Sequence, residues 1–378
     1  MKTYQHINES IIEKQSVQFI IDSTPELNFI NNMDLSCFQK GIVFCDKKLS
    51  FNWWPKILSK IQNSISIKDV SFLDASEQTK SIEKFVDLIN YLGKVKCTKN
   101  DVIIVIGGGT ILDVISFIAS TFMRGIPLIM IPTTLIGQAD ASTAGKTCIN
   151  TNYGKNILGT LYLPIYVYNN VQILKTNSAY EYRQGFSEIF KYGLLGSKKL
   201  IDLQVDYKNN QTDKLMMEII AETINVRMHI RKKDPLASNL GHTFGHAIEK
   251  ITNYAVNHGD AISVGIVMAL EFGVTEGIIA KDQKDKIIKI MKELKLNTQL
   301  SDDLDVDFLN EAMLTDKKSS NTHIRLVLIR DIAMPYKSDD SHFYSVRPEK
   351  MRIFLKNFIK KGDYISSNHW ESLKKDET

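Results

Sequence analysis

A strand, a glycine turn, a helix and a second strand follow one another in the first third of the chain. The β-branched run 102–106 is typical of a strand buried on both faces, and three glycines at 107–109 end it. A helical segment over 110–123 and the apolar run 128–132 come next. Parallel strands need such a helical crossover, so this order predicts an α/β fold with a doubly wound, Rossmann-like parallel sheet.

The apolar pattern changes near residue 180, and this change predicts a second domain. Helical periodicity dominates from there on, beginning with a predicted helix over 180–205. We therefore expect an N-terminal α/β domain over 1–178 and a C-terminal, mainly helical domain over 179–360. The charged stretch 361–378 is predicted to be a polar C-terminal tail.

Composition limits the partners that this chain is expected to have. The net charge is only +4 over 378 residues, and basic residues are interspersed with acidic ones, so no nucleic-acid footprint stands out. No apolar run reaches the ~18 residues of a membrane span, and no apolar signal core follows the N-terminus. Cys37, Cys45, Cys97 and Cys148 match no zinc pattern. We predict a cytoplasmic protein with free thiols that binds neither nucleic acid nor membranes.

Three of the 8 histidines lie close together in the second half of the chain. His242 and His246 are spaced to share one face of a helix, and His258 follows shortly after. A polar helix face without a function is one interpretation of this spacing. The concentration of histidines among glycines favours the other, a divalent metal with an open coordination position or another catalytic role.

A carboxylate is available to complete this candidate metal site. Glu188 lies three residues before Lys191, and the plain interpretation is an ion pair on a helix surface. The apolar residues around Glu188 predict that its helix is buried, and a buried carboxylate without a partner is costly. With His242 and His258 it would form a set of two histidines and one carboxylate.

Two segments rich in small residues each carry a lysine. Lys146 follows Gly145, and Lys155 follows Gly154, which is typical of loops that bind an anion. We therefore predict a substrate that carries a phosphate. The glycine turn at 107–109 is suited to a pyrophosphate, although a purely structural turn remains the alternative.

The order of the motifs matches one known family. Its motifs are found here as Glu77–Ser81, Gly107–Asp113, Met123–Gly125, Ile131–Leu135, Gly145–Asn150, Gly154–Asn156, Glu188–Gly193, Asn239–Glu249 and His258–Ala261. From about residue 40 to about residue 330 the chain closely resembles dehydroquinate synthase and its relatives, the sugar-phosphate cyclases. The motifs are long and occur in order, which makes the resemblance specific.

The resemblance implies NAD in the first domain, a divalent metal (zinc or cobalt) in the second, a phosphorylated sugar as substrate, and a homodimer. It implies that NAD contacts Asp46, Glu77, Lys80, Gly107, Gly108, Gly109, Asp113, Thr133, Thr134, Asp140 and Lys155. The metal ligands are expected to be Glu188, His242 and His258. The substrate phosphate is expected at Lys146, Asn156, His246 and an Arg124 that reaches in from the partner subunit. Catalytic roles are expected for Lys146, Lys191, His246, Asn239 and Asp140, with Lys317 or Lys318 closing over the substrate.

The reaction that the resemblance implies has no net redox change. NAD oxidises a secondary alcohol, the neighbouring C–H becomes acidic, and phosphate is eliminated. The hydride then returns, the sugar ring opens, and an intramolecular aldol reaction closes a carbocycle. The metal would act as a Lewis acid, and lysines would stabilise the developing negative charge.

One departure from the family bears on the substrate. The segment 233–239 is several residues shorter than usual and lacks the Gly-Leu-Arg whose arginine holds the substrate carboxylate in dehydroquinate synthase. This favours a specialised cyclase acting on another phosphorylated sugar, such as sedoheptulose 7-phosphate or glucose 6-phosphate. The alternative is an ordinary 3-dehydroquinate synthase that recruits Arg227 or Arg231.

Two hypotheses of other classes compete with a cyclase. A metal-dependent polyol dehydrogenase would share the two-domain architecture but would release NADH. A small polyol needs no cluster of phosphate ligands, and this argues against it at Lys146, Lys155, Asn156 and Lys191. A binding protein without turnover is the other hypothesis, and the retained metal set argues against it.

Overall fold

A computed structural model of the protein describes residues 16–49, 51–152, 154–301, 304–314, 322–338 and 341–366. Its strands are β1 (Gln18–Asp22), β2 (Gly41–Asp46), β3 (Ile67–Leu73), β4 (Val102–Gly107), β5 (Leu128–Pro132), β6 (Lys146–Thr151), β7 (Gly154–Leu161), β8 (Tyr166–Asn170), β9 (Leu300–Ser301), β10 (Ile324–Val327), β11 (Ile329–Asp331), β12 (Met334–Pro335), β13 (Phe343–Val346) and β14 (Ile365–Ser366). Its α-helices are α1 (Trp54–Gln62), α2 (Ile82–Lys94), α3 (Gly109–Thr121), α4 (Ser142–Ala144), α5 (Ala179–Gly196), α6 (Lys198–Asn209), α7 (Asp213–Lys233), α8 (His242–Ile251), α9 (His258–Thr275), α10 (Lys281–Glu293), α11 (Val306–Leu314) and α12 (Pro348–Lys361).

Six strands form one parallel sheet in the order β1-β8-β5-β4-β2-β3. Side chains alternate between its two faces, and both faces are covered. On β4, Ile103 and Val105 pack into the core that includes α2 and α3, whereas Ile104 and Ile106 pack into the core that includes α1. The predicted doubly wound sheet is therefore confirmed.

The chain changes direction within this sheet at β2. Strand β3 lies on one side of β2, and β4 lies on the other side. The carboxyl ends of β2 and β4 therefore meet at the topological switch point, where open α/β sheets bind their ligands. Asp46 ends β2, and Gly107 ends β4. The fold thus brings two residues of the predicted cofactor set to the edge where a ligand is expected.

The two lysine-bearing segments form a hairpin, whereas the sequence predicted loops. Strands β6 and β7 are antiparallel, with Lys146 opposite Leu161. Thr147 and Ile149 are buried, whereas Lys146, Cys148 and Asn150 are more exposed, which is the period of a half-buried strand. The small and charged residues at the ends of the two strands hid this alternation.

The predicted helix 180–205 is two helices, because the chain breaks at Ser197. Ser197 has extended backbone angles, and its hydroxyl accepts a hydrogen bond from the Leu200 amide at 3.3 Å. It therefore ends α5 and caps the start of α6. The break leaves α5 free to lie against α9 independently of α6, and α5 carries Glu188.

Helices α8 and α9 approach each other through glycines. A Cβ on Gly265 would lie 2.1 Å from the Gly241 carbonyl oxygen, and one on Gly245 would lie 3.0 Å from the Ala261 carbonyl oxygen. At the start of α9, a Cβ on Gly259 would lie 2.6 Å from the Cα of Gln184 in α5. Side chains larger than hydrogen would separate the three helices that carry Glu188, His242 and His258.

The last part of the chain packs onto the helical region. Strand β14 pairs in parallel with β9, so the stretch predicted as a tail starts within α12 and includes a short strand. Residues 367–378 lie outside the described residues, as do Lys317 and Lys318. In the part of the chain that the structure describes, no helix is long and apolar enough to cross a membrane.

Gly265→Ala tests whether the close helix approach matters for stability. Because the new methyl group would meet the Gly241 carbonyl oxygen, we expect a loss of at least about 1–3 kcal/mol in the free energy of unfolding. The matched control is Gly93→Ala in α2, where nothing lies within 4 Å. There the better helix propensity of alanine should add about 0.5–1 kcal/mol. Urea unfolding measures both, and equal stability of the two variants would contradict the packing argument.

Candidate active site

Three side chains from three helices converge at one point of the helical region. Glu188, His242 and His258 each offer a ligand atom, and these atoms all lie within 4.8 Å of one another. The Glu188 Oε1 atom is 3.6 Å from His242 Nε2 and 3.3 Å from His258 Nε2. The three residues that the sequence predicted as a metal set are thus brought together.

The hydrogen bonds of the two histidines leave their Nε2 atoms facing this point. His242 Nδ1 lies 3.1 Å from the Leu240 carbonyl oxygen, which can only accept. His258 Nδ1 lies 3.3 Å from Glu249 Oε2. Burial lowers the pKa of His242 well below its usual range, so its neutral ring carries its hydrogen on Nδ1 and turns an Nε2 lone pair to Glu188. Burial would lower the pKa of His258, but Glu249 and Glu188 raise it to about 10, so this ring is protonated here and a metal ion would displace the hydrogen on its Nε2. A carboxylate or carbonyl behind each imidazole is the usual support of a metal-binding histidine.

Glu188 is a fully buried carboxylate with one oxygen held and one left open. Its Oε2 accepts a hydrogen bond from Lys191, which is 2% exposed. Its Oε1 is buried and has no hydrogen-bond partner among the residues that the structure describes. Burial would raise the pKa of Glu188, but Lys191 and both histidines lower it well below its usual range. An ionised oxygen without a hydrogen bond, between two imidazole nitrogens, fits a divalent cation.

A second group of possible ligands shares His258 with the first. His246, Glu249 and His258 also bring ligand atoms within 4.8 Å of one another. Glu249, however, already pairs with the Nδ1 side of His258 and therefore lies behind the ring, away from Glu188. The His246 ring lies 5.3 Å from that of His242 and 6.1 Å from that of His258. His246 thus borders the point of convergence, while Glu249 orients His258.

Glu249 is the clearest residue that sequence reasoning missed. Burial would raise its pKa, but His258 lowers it, so Glu249 is the ionised partner of that histidine. Its place in the motif Asn239–Glu249 gave a signal, because a carboxylate on the helix of His242 and His246 can support a neighbouring imidazole. What the sequence did not give was the distance between α8 and the start of α9.

At the carboxyl edge of the sheet, the glycine turn lies against Thr134. Gly108 precedes α3, and a Cβ on it would lie 3.1 Å from the Thr134 Cγ2. The Thr133 amide donates to the Gly107 carbonyl oxygen at 3.0 Å. The amino end of α3 therefore lies at the switch point, at the edge of the sheet where Asp46 ends β2, and such a helix terminus is suited to binding an anion.

Lys80 is buried and contacts several predicted residues that are more exposed. Its Nζ lies 2.8 Å from Asp113 Oδ2 and 2.5 Å from Asn156 Oδ1, and Cys148 Sγ is 3.6 Å away. Burial would lower the pKa of Lys80, but Asp113 and Cys148 raise it. Asn156 is predicted to bind the substrate phosphate, but here it contacts Lys80, which also pairs with Asp113, and both of these residues are predicted to contact NAD.

Lys155 bridges the hairpin and the helical region. Its Nζ is 3.5 Å from Glu77 Oε1 and 3.9 Å from the centre of the Tyr254 ring. Tyr254 lies between α8 and α9 with a φ of 61°, and Asn253 before it has a φ of 49°. Two consecutive left-handed residues are costly, so the surrounding contacts must fix this turn. Tyr254 is a second residue that sequence reasoning missed.

Asp140 lies in a π-helical turn (Gly137–Ala141) and is held by the helical region. It accepts a hydrogen bond from the Tyr192 hydroxyl at 2.6 Å and forms an ion pair with Arg227. Arg227 also donates to the Tyr192 hydroxyl at 2.6 Å. Because Tyr192 follows Lys191, this group adjoins the buried Glu188 pair.

The remaining predicted residues lie at different depths. Asn239 is 1% exposed and donates to the Thr243 hydroxyl at 3.4 Å. Lys146 is exposed on β6. Arg124 and the preceding Met123 both have positive φ angles, 67° and 49°, in the turn after α3. Such strain in two consecutive residues is common at functional turns.

Comparison with known proteins places this geometry in a family. Residues 70–184 match the family model described as 3-dehydroquinate synthase N-terminal, and residues 185–319 match 3-dehydroquinate synthase C-terminal. The 3-dehydroquinate synthase of Clostridium perfringens (strain 13 / Type A) is 33% identical over 284 residues, covering 73% of this chain and 81% of that protein.

Solved structures share the fold at lower identity. A 2-deoxy-scyllo-inosose synthase in complex with carbaglucose-6-phosphate, NAD+ and Co2+ superposes with a TM-score of 0.80 at 20% identity, covering 90% of this chain and 96% of that one. An iron-containing alcohol dehydrogenase of Thermotoga maritima gives 0.63 at 15% identity, covering 90% and 98%. At these identities the two similarities show a shared fold and nothing more. The two family models in order, together with the Clostridium relative, show that this chain belongs to the 3-dehydroquinate synthase family.

Proposed function

We propose that the chain is an NAD- and metal-dependent sugar-phosphate cyclase. The reaction comprises transient oxidation of an alcohol, elimination of phosphate, re-reduction and intramolecular aldol closure to a carbocycle. The observation that carries the proposal is the convergence of the buried Glu188 with the partly exposed His242 and His258, whose ligand atoms face one point. Membership of the 3-dehydroquinate synthase family supports the same reaction class.

We propose that Glu188, His242 and His258 hold zinc or cobalt, and that the residues around the switch point hold NAD. When bound, the metal would supply a Lewis acid at the substrate alcohol, and NAD would accept and return a hydride. The complex of the 2-deoxy-scyllo-inosose synthase with NAD+ and Co2+ supports this pair of cofactors. For NAD we propose Asp46, Glu77, Lys80, Gly107, Gly108, Gly109, Asp113, Thr133, Thr134, Asp140 and Lys155.

The chain's own side chains account for the positioning that such a reaction needs. Lys191 fixes one oxygen of Glu188, so the other oxygen keeps its direction. Asn239 and Lys191 are proposed to hold substrate hydroxyls, and His246 and Lys146 are proposed to bind the phosphate and assist its departure. The burial of Glu188 and Lys191 excludes water around them and strengthens their electrostatic interactions.

Two substrates remain as candidates within this class. The shortened segment 233–239 favours a sugar phosphate without a carboxylate. The name of the Clostridium relative supports the second candidate, the carboxylated heptulosonate of an ordinary 3-dehydroquinate synthase. The carbaglucose-6-phosphate complex of the fold relative supports a phosphorylated sugar in either case.

A polyol dehydrogenase is the candidate of another class, and the shared fold with an iron-containing alcohol dehydrogenase is what favours it. Such an enzyme would release NADH and would need no phosphate on its substrate. The lysines of the hairpin, Lys146 and Lys155, support the cyclase instead.

Phosphate release from zinc- or cobalt-loaded protein tests the proposed function. The substrates are 3-deoxy-arabino-heptulosonate 7-phosphate, sedoheptulose 7-phosphate and glucose 6-phosphate, with NADH followed by absorbance. We expect phosphate release that requires both NAD and metal, without NADH accumulation, because the hydride returns to the product. NADH accumulation with an unphosphorylated polyol, and no phosphate release from the sugar phosphates, would instead indicate a dehydrogenase.

Glu249→Gln tests the support that this carboxylate gives to His258. The substitution keeps the size of the side chain and removes its charge, so we expect zinc affinity to fall about 10- to 100-fold. Competition with a chelator measures the affinity. Glu222→Gln is the matched control, because Glu222 bonds to the Ser197 hydroxyl and not to a histidine. Unchanged zinc affinity in Glu249→Gln would contradict the proposed arrangement.

We propose that the chain forms a homodimer through the outer side of the β6–β7 hairpin. Met123, Ile157 and Leu161 are 43%, 55% and 75% exposed, although all three are large and apolar. They lie on β7 and on the strained turn that carries Arg124. Burying them against a second copy would bring Arg124 to the partner subunit, where we propose that it binds the substrate phosphate.

Leu161→Asp tests the proposed dimer surface by sedimentation at several protein concentrations. A charge in an apolar interface would be buried without a partner, so we expect the dimer to dissociate into monomers. Phe308→Asp is the matched control, since Phe308 is 65% exposed on α11, and it should leave the dimer intact. A monomeric parent protein, or a Leu161→Asp variant that remains a dimer, would refute this surface.

A further inference from the structure

Two arginines one helical turn apart on α7 have different surroundings. Arg227 is 8% exposed and engages both Asp140 and the Tyr192 hydroxyl. Arg231 is half-buried and has no acidic partner among the residues that the structure describes. Arg227 is therefore committed to the protein, whereas the guanidinium of Arg231 still has its hydrogen-bond donors to offer.

The guanidinium of Arg231 lies beside the residue that precedes Lys146. A Cβ on Gly145 would be 3.1 Å from its Nη1 and 3.2 Å from its Nη2. Gly145 has a φ of 60°, so the left-handed backbone and the adjacent guanidinium both favour glycine here. The fold thus brings an arginine of the helical region to the start of β6, where Lys146 is proposed to bind substrate.

The charges around this point do not balance. Arg227 and Arg231 bring two positive charges, and Asp140, which pairs with Arg227, is the one carboxylate that an ion pair assigns to these two arginines in the described part of the chain. Burial, and after it the charge of Arg231, lower the pKa of Arg227, so the two guanidiniums repel each other. An oxyanion would relieve this repulsion, and a guanidinium binds one with two parallel hydrogen bonds.

We propose that Arg231 is a specificity-determining residue that binds an oxyanion of the substrate beside Lys146. The inference rests on the proposed function, because the oxyanion belongs to the sugar phosphate. Either a carboxylate on the carbon chain or the phosphate itself supplies the required chemistry. Arg231 belongs to the helix that precedes the shortened segment 233–239, so a planar donor is present although the usual arginine is missing.

The test compares kcat/KM of the metal-loaded parent enzyme, Arg231→Gln and Arg231→Lys on two substrates. These are 3-deoxy-arabino-heptulosonate 7-phosphate, which carries a carboxylate, and sedoheptulose 7-phosphate, which does not. In Arg231→Gln, loss of the charge-assisted contact should lower kcat/KM roughly 10- to 100-fold. In Arg231→Lys, the loss should be smaller, because lysine keeps the positive charge but cannot form two parallel hydrogen bonds. Arg347→Gln, an exposed arginine before α12, is the matched control and should have no effect.

The outcomes separate the source of the oxyanion from failure of the inference. A loss confined to the heptulosonate identifies the carboxylate, and an equal loss on both substrates identifies the phosphate. Unchanged kcat/KM in an active enzyme overturns the proposal for Arg231 and leaves the cyclase intact. If the parent enzyme releases no phosphate, the proposed function fails, and calorimetric binding of the heptulosonate phosphate then tests Arg231 alone. In that binding experiment, equal affinity of the parent and Arg231→Gln would refute the proposal for Arg231. Zinc content and urea unfolding midpoints show whether each variant is folded.

Discussion

The site depends on the burial of one carboxylate between three helices that can approach only because of glycines. Glu188 is fully buried, and removing an ionised carboxylate from water is costly unless partners surround it. Lys191 holds one of its oxygens, and His242 and His258 face the other. The contacts through Gly241, Gly245, Gly259 and Gly265 fix the distances between these helices. The same packing therefore sets the stability of the helical region and the geometry of the candidate metal site.

A second set of contacts joins the α/β region to this center. Asp140, in a turn after β5, pairs with Arg227 of α7 and with Tyr192 of α5. Lys155 of the hairpin lies over Tyr254, close to the residues that precede His258. The residues proposed for NAD and those proposed for the metal are thus connected by direct side-chain contacts. A reaction in which a hydride leaves the substrate and returns to it requires that the two sets keep their separation.

Much of the fold could be predicted from the sequence, because the periodicity of apolar residues indicates which side chains are buried. The run 102–106 and the glycine turn predicted the parallel sheet, and the histidine spacing predicted a helix with a metal site. The hairpin of β6 and β7 was missed, since lysines and glycines obscure its alternation. The break at Ser197 was missed because a single serine carries the cap that ends one helix and starts another. Glu249 and Tyr254 act through distances between elements, and these distances are set by tertiary packing.

X-ray absorption at the zinc edge of the zinc-loaded protein tests the proposed metal site most directly. We expect nitrogen and oxygen ligands only, at about 2.0–2.2 Å, with the scattering of two imidazoles. His258→Ala should then show one imidazole, with the remaining ligands unchanged in type. A sulfur shell at about 2.3 Å would instead indicate binding by the cysteines. A spectrum of the parent protein without imidazole scattering would equally contradict a metal site built from Glu188, His242 and His258.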